Sequence, residues 1–260
     1  MTVSVAIERF LHHGEYDLTW PAWHGDASTG RTTMCRVLER VLNHRATGAP
    51  LGRRSEPDDA AEILLRRISS AVRGLLPSGD ADAVLAVMPS RMRVVTVADF
   101  AQTVQDLPLD DAWCLANIVL EDMGAPPLSD DAPQLDGICT ADAMWVPPGA
   151  FRPATPVSDV LVHELAHMFH TVDRKKMGLD GAGPIWRIPT VHHETFAYAC
   201  ELWACRERRT PADRPDLSES VEGVRMADAR VEMDELRSIL EAADAGGWPV
   251  IRAWAVAQSS

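Results

Sequence analysis

The sequence predicts an α+β protein that is mostly helical, with a small β-sheet placed before one polar-faced helix and a second such helix after it. Three observations carry this. Apolar residues recur at helical spacing over long stretches, as in Ile63, Leu64, Ile68, Val72 and Leu75. Two short β-like runs, at 137–140 and 143–146, are stopped by Pro147-Pro148-Gly149. The pentapeptide His163-Glu164-Leu165-Ala166-His167 then sits inside an otherwise apolar segment.

In chain order, the sequence opens with a short apolar stretch and a turn-rich aromatic patch at 20–25. A helix is expected over about 32–46. Residues 49–58 combine Gly, Pro and charge and read as a surface linker. A helix fits 57–76 and is ended by Pro77-Ser78-Gly79; further helix is expected near 81–88, 97–106 and 109–123. The two β-like runs form a small hairpin or a pair of edge strands. Thr155-Pro156 offers a hydroxyl N-cap followed by proline at the first helical position, so the motif helix is expected from 156 to about 171. A loop over 172–189 leads to Thr190, a candidate cap for a helix over about 191–207. Pro211 and Pro215 mark the next loop, and one long helix fits 218–243, closed by Gly246-Gly247.

Composition excludes several classes. The chain has 260 residues, 46% hydrophobic, enough for one large or two small cores. Its 25 Lys and Arg against 38 Asp and Glu leave a net charge of −13, which argues against a direct nucleic-acid partner. Five cysteines, odd in number and without C-x-x-C spacing, argue against a disulfide framework or a Cys-rich zinc knuckle. The first residues lack a basic n-region and a long apolar core, and no apolar run approaches 18 residues. The expectation is a reduced, cytoplasmic protein without a membrane partner.

The pentapeptide carries the chemistry. A chance H-E-x-x-H in such a chain arises on the order of 2% of the time, so context must strengthen it. Two histidines four apart on a helix project from one face, with Cβ atoms about 5–6 Å apart, and can hold one metal ion. Val160, His163, Glu164, His167 and Thr171 cluster on one side of the helix, while Leu161, Val162, Leu165, Met168 and Phe169 cover the rest. That is a buried helix with a polar site cut into it. Glu164 can reach a water on the ion and act as general base without ligating the ion.

Zinc then needs a third protein ligand and an open fourth position. Glu194, in the first turn of the second helix, is preferred; Ala197 one turn on is small and lets the two backbones approach. His192 and His193 are the alternatives and could equally contact substrate. His170 points the same way but lies about 10 Å along the axis from His163, so it is expected to line the cleft or pack rather than to supply the third ligand. Asp173 and Asp180 lie in the following loop. Tyr198, four residues after Glu194, is the candidate donor to a developing oxyanion, although a tyrosine there can equally pack or orient a ligand. Arg187 and His193 are weaker candidates. Glu201 or Asp159 could hold the free imidazole nitrogens.

These residues resemble the zincin superfamily, its glutamate-ligand branch (gluzincins) in particular, and within it the ImmA/IrrE-type metallopeptidases. In that group HELxH is followed, after a loop, by a helix with a Glu-x-x-Ala-type, Phe-Ala-containing signature, which Glu194-Thr195-Phe196-Ala197-Tyr198-Ala199-Cys200-Glu201-Leu202 resembles. The likeness covers about residues 110–207. It implies a zincin-like core, Zn²⁺ as cofactor, His163, His167 and Glu194 as metal ligands, and Glu164 as catalytic base. It also implies a division into a mainly helical region, 1–108, and a metallopeptidase domain with a C-terminal helix, 109–260. The sequence departs from the group where the Arg-rich entry is reduced to Arg152 and where Tyr198 stands for the usual Asn.

The expected function is therefore zinc-dependent hydrolysis of a peptide or protein substrate, with Glu164 and Tyr198 as the catalytic pair. Two alternatives stand beside it. The eight tryptophans and the patch at 20–24 could instead close a pocket around a small molecule in a biosynthetic step. A non-catalytic module would close the fourth position with His170 or a loop aspartate.

Overall fold

The amphipathic pattern of the first residues already builds a helix, α1 (Val3–His13), whose Ala6 and Phe10, four apart, are fully buried. It is followed by α2 (Ala27–Ala46), α3 (Ala60–Leu75) and α4 (Ser78–Arg91), which runs directly into strand β1 (Met92–Val94). A short α5 (Phe100–Thr103) and α6 (Leu109–Asp122) precede β2 (Ile138–Cys139) and β3 (Met144–Val146). The rest is helical: α7 (Val160–Thr171), α8 (His193–Glu207), α9 (Leu217–Ala227), α10 (Met233–Gly246) and α11 (Trp248–Gln258). The computed structural model describes residues 3–16, 27–52, 54–227 and 229–259. The aromatic patch at 20–25, with His24, lies outside the described residues. The protein is thus mostly helical with one small three-stranded sheet, in the order β1-β3-β2.

The chain divides into two units that interleave in sequence. The first comprises Met1–Pro57, Val94–Ile138 and Trp145–Gly149; the second comprises Asp58–Arg93, Cys139–Met144 and Ala150–Ser260. The boundary expected at 108/109 falls inside the first unit, between α5 and α6.

In the first unit α2 packs on α1, α5 and α6. Trp113 of α6 donates its indole N–H to the Leu11 carbonyl at 3.0 Å, and Asn117 accepts from the Leu128 amide at 2.7 Å. In the second unit α7 packs on α3 and α8, and α10 and α11 close over α8. α3 and α11 approach so closely at Gly74 that a Cβ there would stand 2.2 Å from the Trp248 ring. Among the described residues no helix is long and apolar enough to cross a membrane.

Several expected boundaries move. The helix over 57–76 is observed as α3, and that over 109–123 as α6. α4 starts at Ser78, so Pro77-Ser78-Gly79 opens a helix as well as ending one: Pro77 supplies the carbonyl that takes the Ala81 amide at 2.8 Å. β3 is not an edge strand but the central one, buried on both faces, because β1 pairs with its other side. The single helix at 218–243 is two, α9 and α10, and α11 follows the Gly246-Gly247 turn with Pro249 in its first turn.

Candidate metal centre

The motif helix begins later than Thr155-Pro156 implied. The Thr155 hydroxyl accepts from the Val157 amide at 3.3 Å, and the Thr155 amide donates to the Ser158 carbonyl at 3.0 Å, closing a turn. α7 starts at Val160 because Asp159 is fixed from three sides. Its amide donates to Glu201 Oε1 at 2.7 Å, its carbonyl accepts from the Val162 and His163 amides, and its fully buried carboxylate takes the guanidinium groups of Arg67 and Arg208. Arg67 also donates to the Ala150 and Arg152 carbonyls. A buried carboxylate is tolerable only with such partners.

From that anchor α7 turns Leu161, Val162, Leu165, Ala166, Met168 and Phe169 into the core, each at most 1% exposed. His163, Glu164, His167 and His170 remain as its polar face. Opposite it, Ala197 of α8 is fully buried, and its small methyl side chain lets α7 and α8 pack closely. Glu194, in the first turn of α8, thereby meets both histidines. His163 Nε2 and His167 Nε2 are 3.1 Å apart, and Glu194 Oε2 lies 3.6 Å from the first and 3.4 Å from the second.

That triangle fits a metal. With bonds of about 2.0–2.1 Å, the ligands of a tetrahedral zinc ion stand about 3.3–3.4 Å apart, the range these three edges bracket. The donor set, two imidazole nitrogens and one carboxylate oxygen, also suits that ion. Among the described residues these three are the group of His, Cys, Asp and Glu side chains placed to share an ion.

The outer nitrogens are held as well. His163 Nδ1 lies 3.0 Å from Glu201 Oε2, two turns beyond Glu194 on the same face of α8. His167 Nδ1 lies 3.1 Å from His170 Nε2, and His170 Nδ1 is 3.2 Å from the Thr171 hydroxyl. His170 in turn stacks on His193, with ring centroids 3.7 Å apart, and His193 donates to the Ile188 carbonyl at 2.9 Å. Protons on both Nδ1 atoms leave both Nε2 lone pairs for the ion.

Electrostatics follow from this packing. Burial pushes the His170 imidazole down to about 2, assisted by His167 and His193, so it stays neutral and can accept. Burial also lowers His167. Burial opposes the charged form of His163 too, but Glu194 and Glu201 outweigh it and hold that imidazole well above its usual value. Glu194 is kept ionised: burial would raise it, and the hydrogen bonds from His163 and His167 pull it far down.

Glu164 is 3% exposed, one position from His163 and near β2, where burial first and the Glu164 charge second raise the Cys139 thiol. The Tyr198 ring packs edge-on against His163, 4.6 Å between centroids.

The other candidates are engaged elsewhere. His192 pairs with Glu235 at 3.0 Å. Asp173 accepts from the Lys175 and Gly183 amides and caps a 3-10 turn over Arg174–Met177. A cleft of about 460 Å³ at the far end of α8 is lined by Thr155, Arg208, Arg209 and Thr210 among others, and by none of the motif residues. Sequence reading missed Arg230, whose Nη1 lies 3.0 Å from Glu194 Oε1. Its segment resembles the middle of a helix, and no local signal places it 36 positions back along the chain. Comparison with protein-family models, with curated proteins and with solved structures finds no match in any of the three.

Proposed function

We propose that this chain is a zinc-dependent amide hydrolase, a metallopeptidase of the HExxH type with the gluzincin-like core that the sequence resembles. The observation that carries the reading is the Nε2–Nε2–Oε2 triangle of His163, His167 and Glu194, with Glu164 buried beside it. These three side chains would hold the ion. When bound, zinc supplies Lewis acidity, lowering the pKa of a water towards 7 and polarising a carbonyl oxygen. Glu164 accepts the proton of the attacking water and passes it to the departing amine. Tyr198, on the His163 side of the centre, is the donor proposed for the developing oxyanion.

A purely structural ion is the less supported reading. It needs a fourth protein ligand, and His170 and Asp173 are committed to His167 and to a loop cap. Elemental analysis of the purified protein tests the centre: about one zinc per chain is expected, with most of it lost in Glu194→Ala. Undiminished zinc in that variant rules Glu194 out. Glu164→Gln is expected to keep the metal and lose peptide hydrolysis by about 100-fold or more; retained turnover would sink the mechanism.

A further inference from the structure

Beside the motif residues stands a cation that nothing in the proposed hydrolysis yet uses. The Arg230 side chain is 59% exposed, and its Nη1 lies 3.0 Å from Glu194 Oε1, the oxygen turned away from the two imidazoles. Its position is built. Val231 is 7% exposed, and the Glu232 amide donates to the Thr195 hydroxyl at 2.9 Å. Thr195 is fully buried and directly follows Glu194. Two successive residues after Arg230 are therefore pinned, one in the core and one to α8, which presents the guanidinium over the rim of the centre.

Charge gives this placement a consequence. Zinc with two neutral imidazoles and the Glu194 carboxylate would carry +1, Glu164 as base and Glu201 behind His163 bring −2, and Arg230 adds +1. The groups around the ion then balance, and the exposed guanidinium is a positive charge that the centre turns outward on a chain whose net charge is −13. A guanidinium is a fork of donors that matches a carboxylate. We propose that Arg230 anchors a substrate carboxylate next to the scissile amide, so that the site selects acyl amino acids and peptides cleaved beside a free C-terminal carboxylate. This rests on the zinc-hydrolase reading above and names its substrate class.

The test uses two zinc-binding probes that differ in one charge, mercaptoacetyl-phenylalanine and its C-terminal amide, titrated calorimetrically into the zinc-loaded full chain. The acid is expected to bind wild-type protein about tenfold more tightly than the amide. Arg230→Gln keeps a donor for Glu194 Oε1 but not the charge. It should retain zinc and the amide affinity while the acid-to-amide ratio falls to about one, and Arg230→Lys should keep part of the preference. Equal binding of both probes by wild-type protein, which requires no variant to fold, overturns the anchor and leaves the metal centre standing. So does a preference that survives Arg230→Gln. Zinc-dependent binding of neither probe overturns the anchor together with the reading beneath it.

Discussion

Each imidazole that faces Glu194 is steered from behind by a chemically different group. His163 has a carboxylate at Nδ1, whereas His167 has a neutral imidazole, His170, held neutral by burial and by two neighbouring histidines. Outer partners of this kind typically change metal affinity by about 10–100-fold. Glu201→Ala and His170→Ala should therefore each weaken zinc binding by about that factor in competition with a chromophoric chelator. For His170→Ala the far-UV circular dichroism should be unchanged, and an unaltered affinity would reduce His170 to a packing residue. At this scale the meeting of His163, His167 and Glu194 was legible, because i, i+4 spacing is a property of one helix and Glu194 opens the next. The role of His170 was not. Its distance along the axis excludes it from the ion, but only the structure shows its ring reaching back one turn to His167. Arg230 was illegible for a further reason: its contact is tertiary and has no periodic signature.

Elements were legible where one strong apolar stripe decides them, as in α3 and α6, and failed where contacts override local pattern. No glycine or proline lies between 224 and 245, so nothing local predicts a break between α9 and α10. The break follows the Glu232–Thr195 hydrogen bond and the Arg230–Glu194 pair instead. β1 was hidden because it follows α4 without a turn. The α3–α11 contact has its own test. Alanine at Gly74 would gain about 1 kcal/mol of helix propensity, yet its Cβ would collide with the Trp248 ring root. Gly74→Ala should lower stability by a net 1–2 kcal/mol, roughly, read from the urea midpoint; a stabilised variant would mean that the two helices are not held at that distance. The loop after α7 offers a second case. The Gly183 and Lys175 amides hold the Asp173 carboxylate below its usual value. A group depressed on folding stabilises above its unfolded pKa, here 3.8, and that contribution is lost as pH falls through the depressed value. Asp173→Ala should remove the cap and lower stability near pH 7. The gap between variant and wild type should close below pH 3.8; a gap constant with pH would exclude the charged cap.

For the whole molecule, the interleaving of the two units has a consequence that linear domain reading misses. The candidate ligands, both outer partners, Arg230 and the Asp159 network with Arg67 and Arg208 all belong to the second unit. Its early segment, Asp58–Arg93, contributes α3 and with it Arg67, which holds the start of the motif helix although it precedes that helix by more than 90 positions. The resemblance that set residues 1–108 apart covers only about residues 110–207, and Arg67 carries no mark in the sequence of its distant partner. Two results follow. Arg67→Met leaves the fully buried Asp159 carboxylate with Arg208 alone and should destabilise the fold by about 3 kcal/mol, despite lying far outside the motif. Zinc, in turn, stabilises only what it binds: at a free concentration 100 times its Kd the gain is about 2.7 kcal/mol. Since the ligands join α7 to α8, hydrogen exchange should slow on zinc loading across those helices and their neighbours α3 and α10. The amides of α2 and α6 in the first unit should exchange at the metal-free rate. Uniform protection of both units would show that they unfold as one cooperative body, and protection confined to the first would place the ion elsewhere.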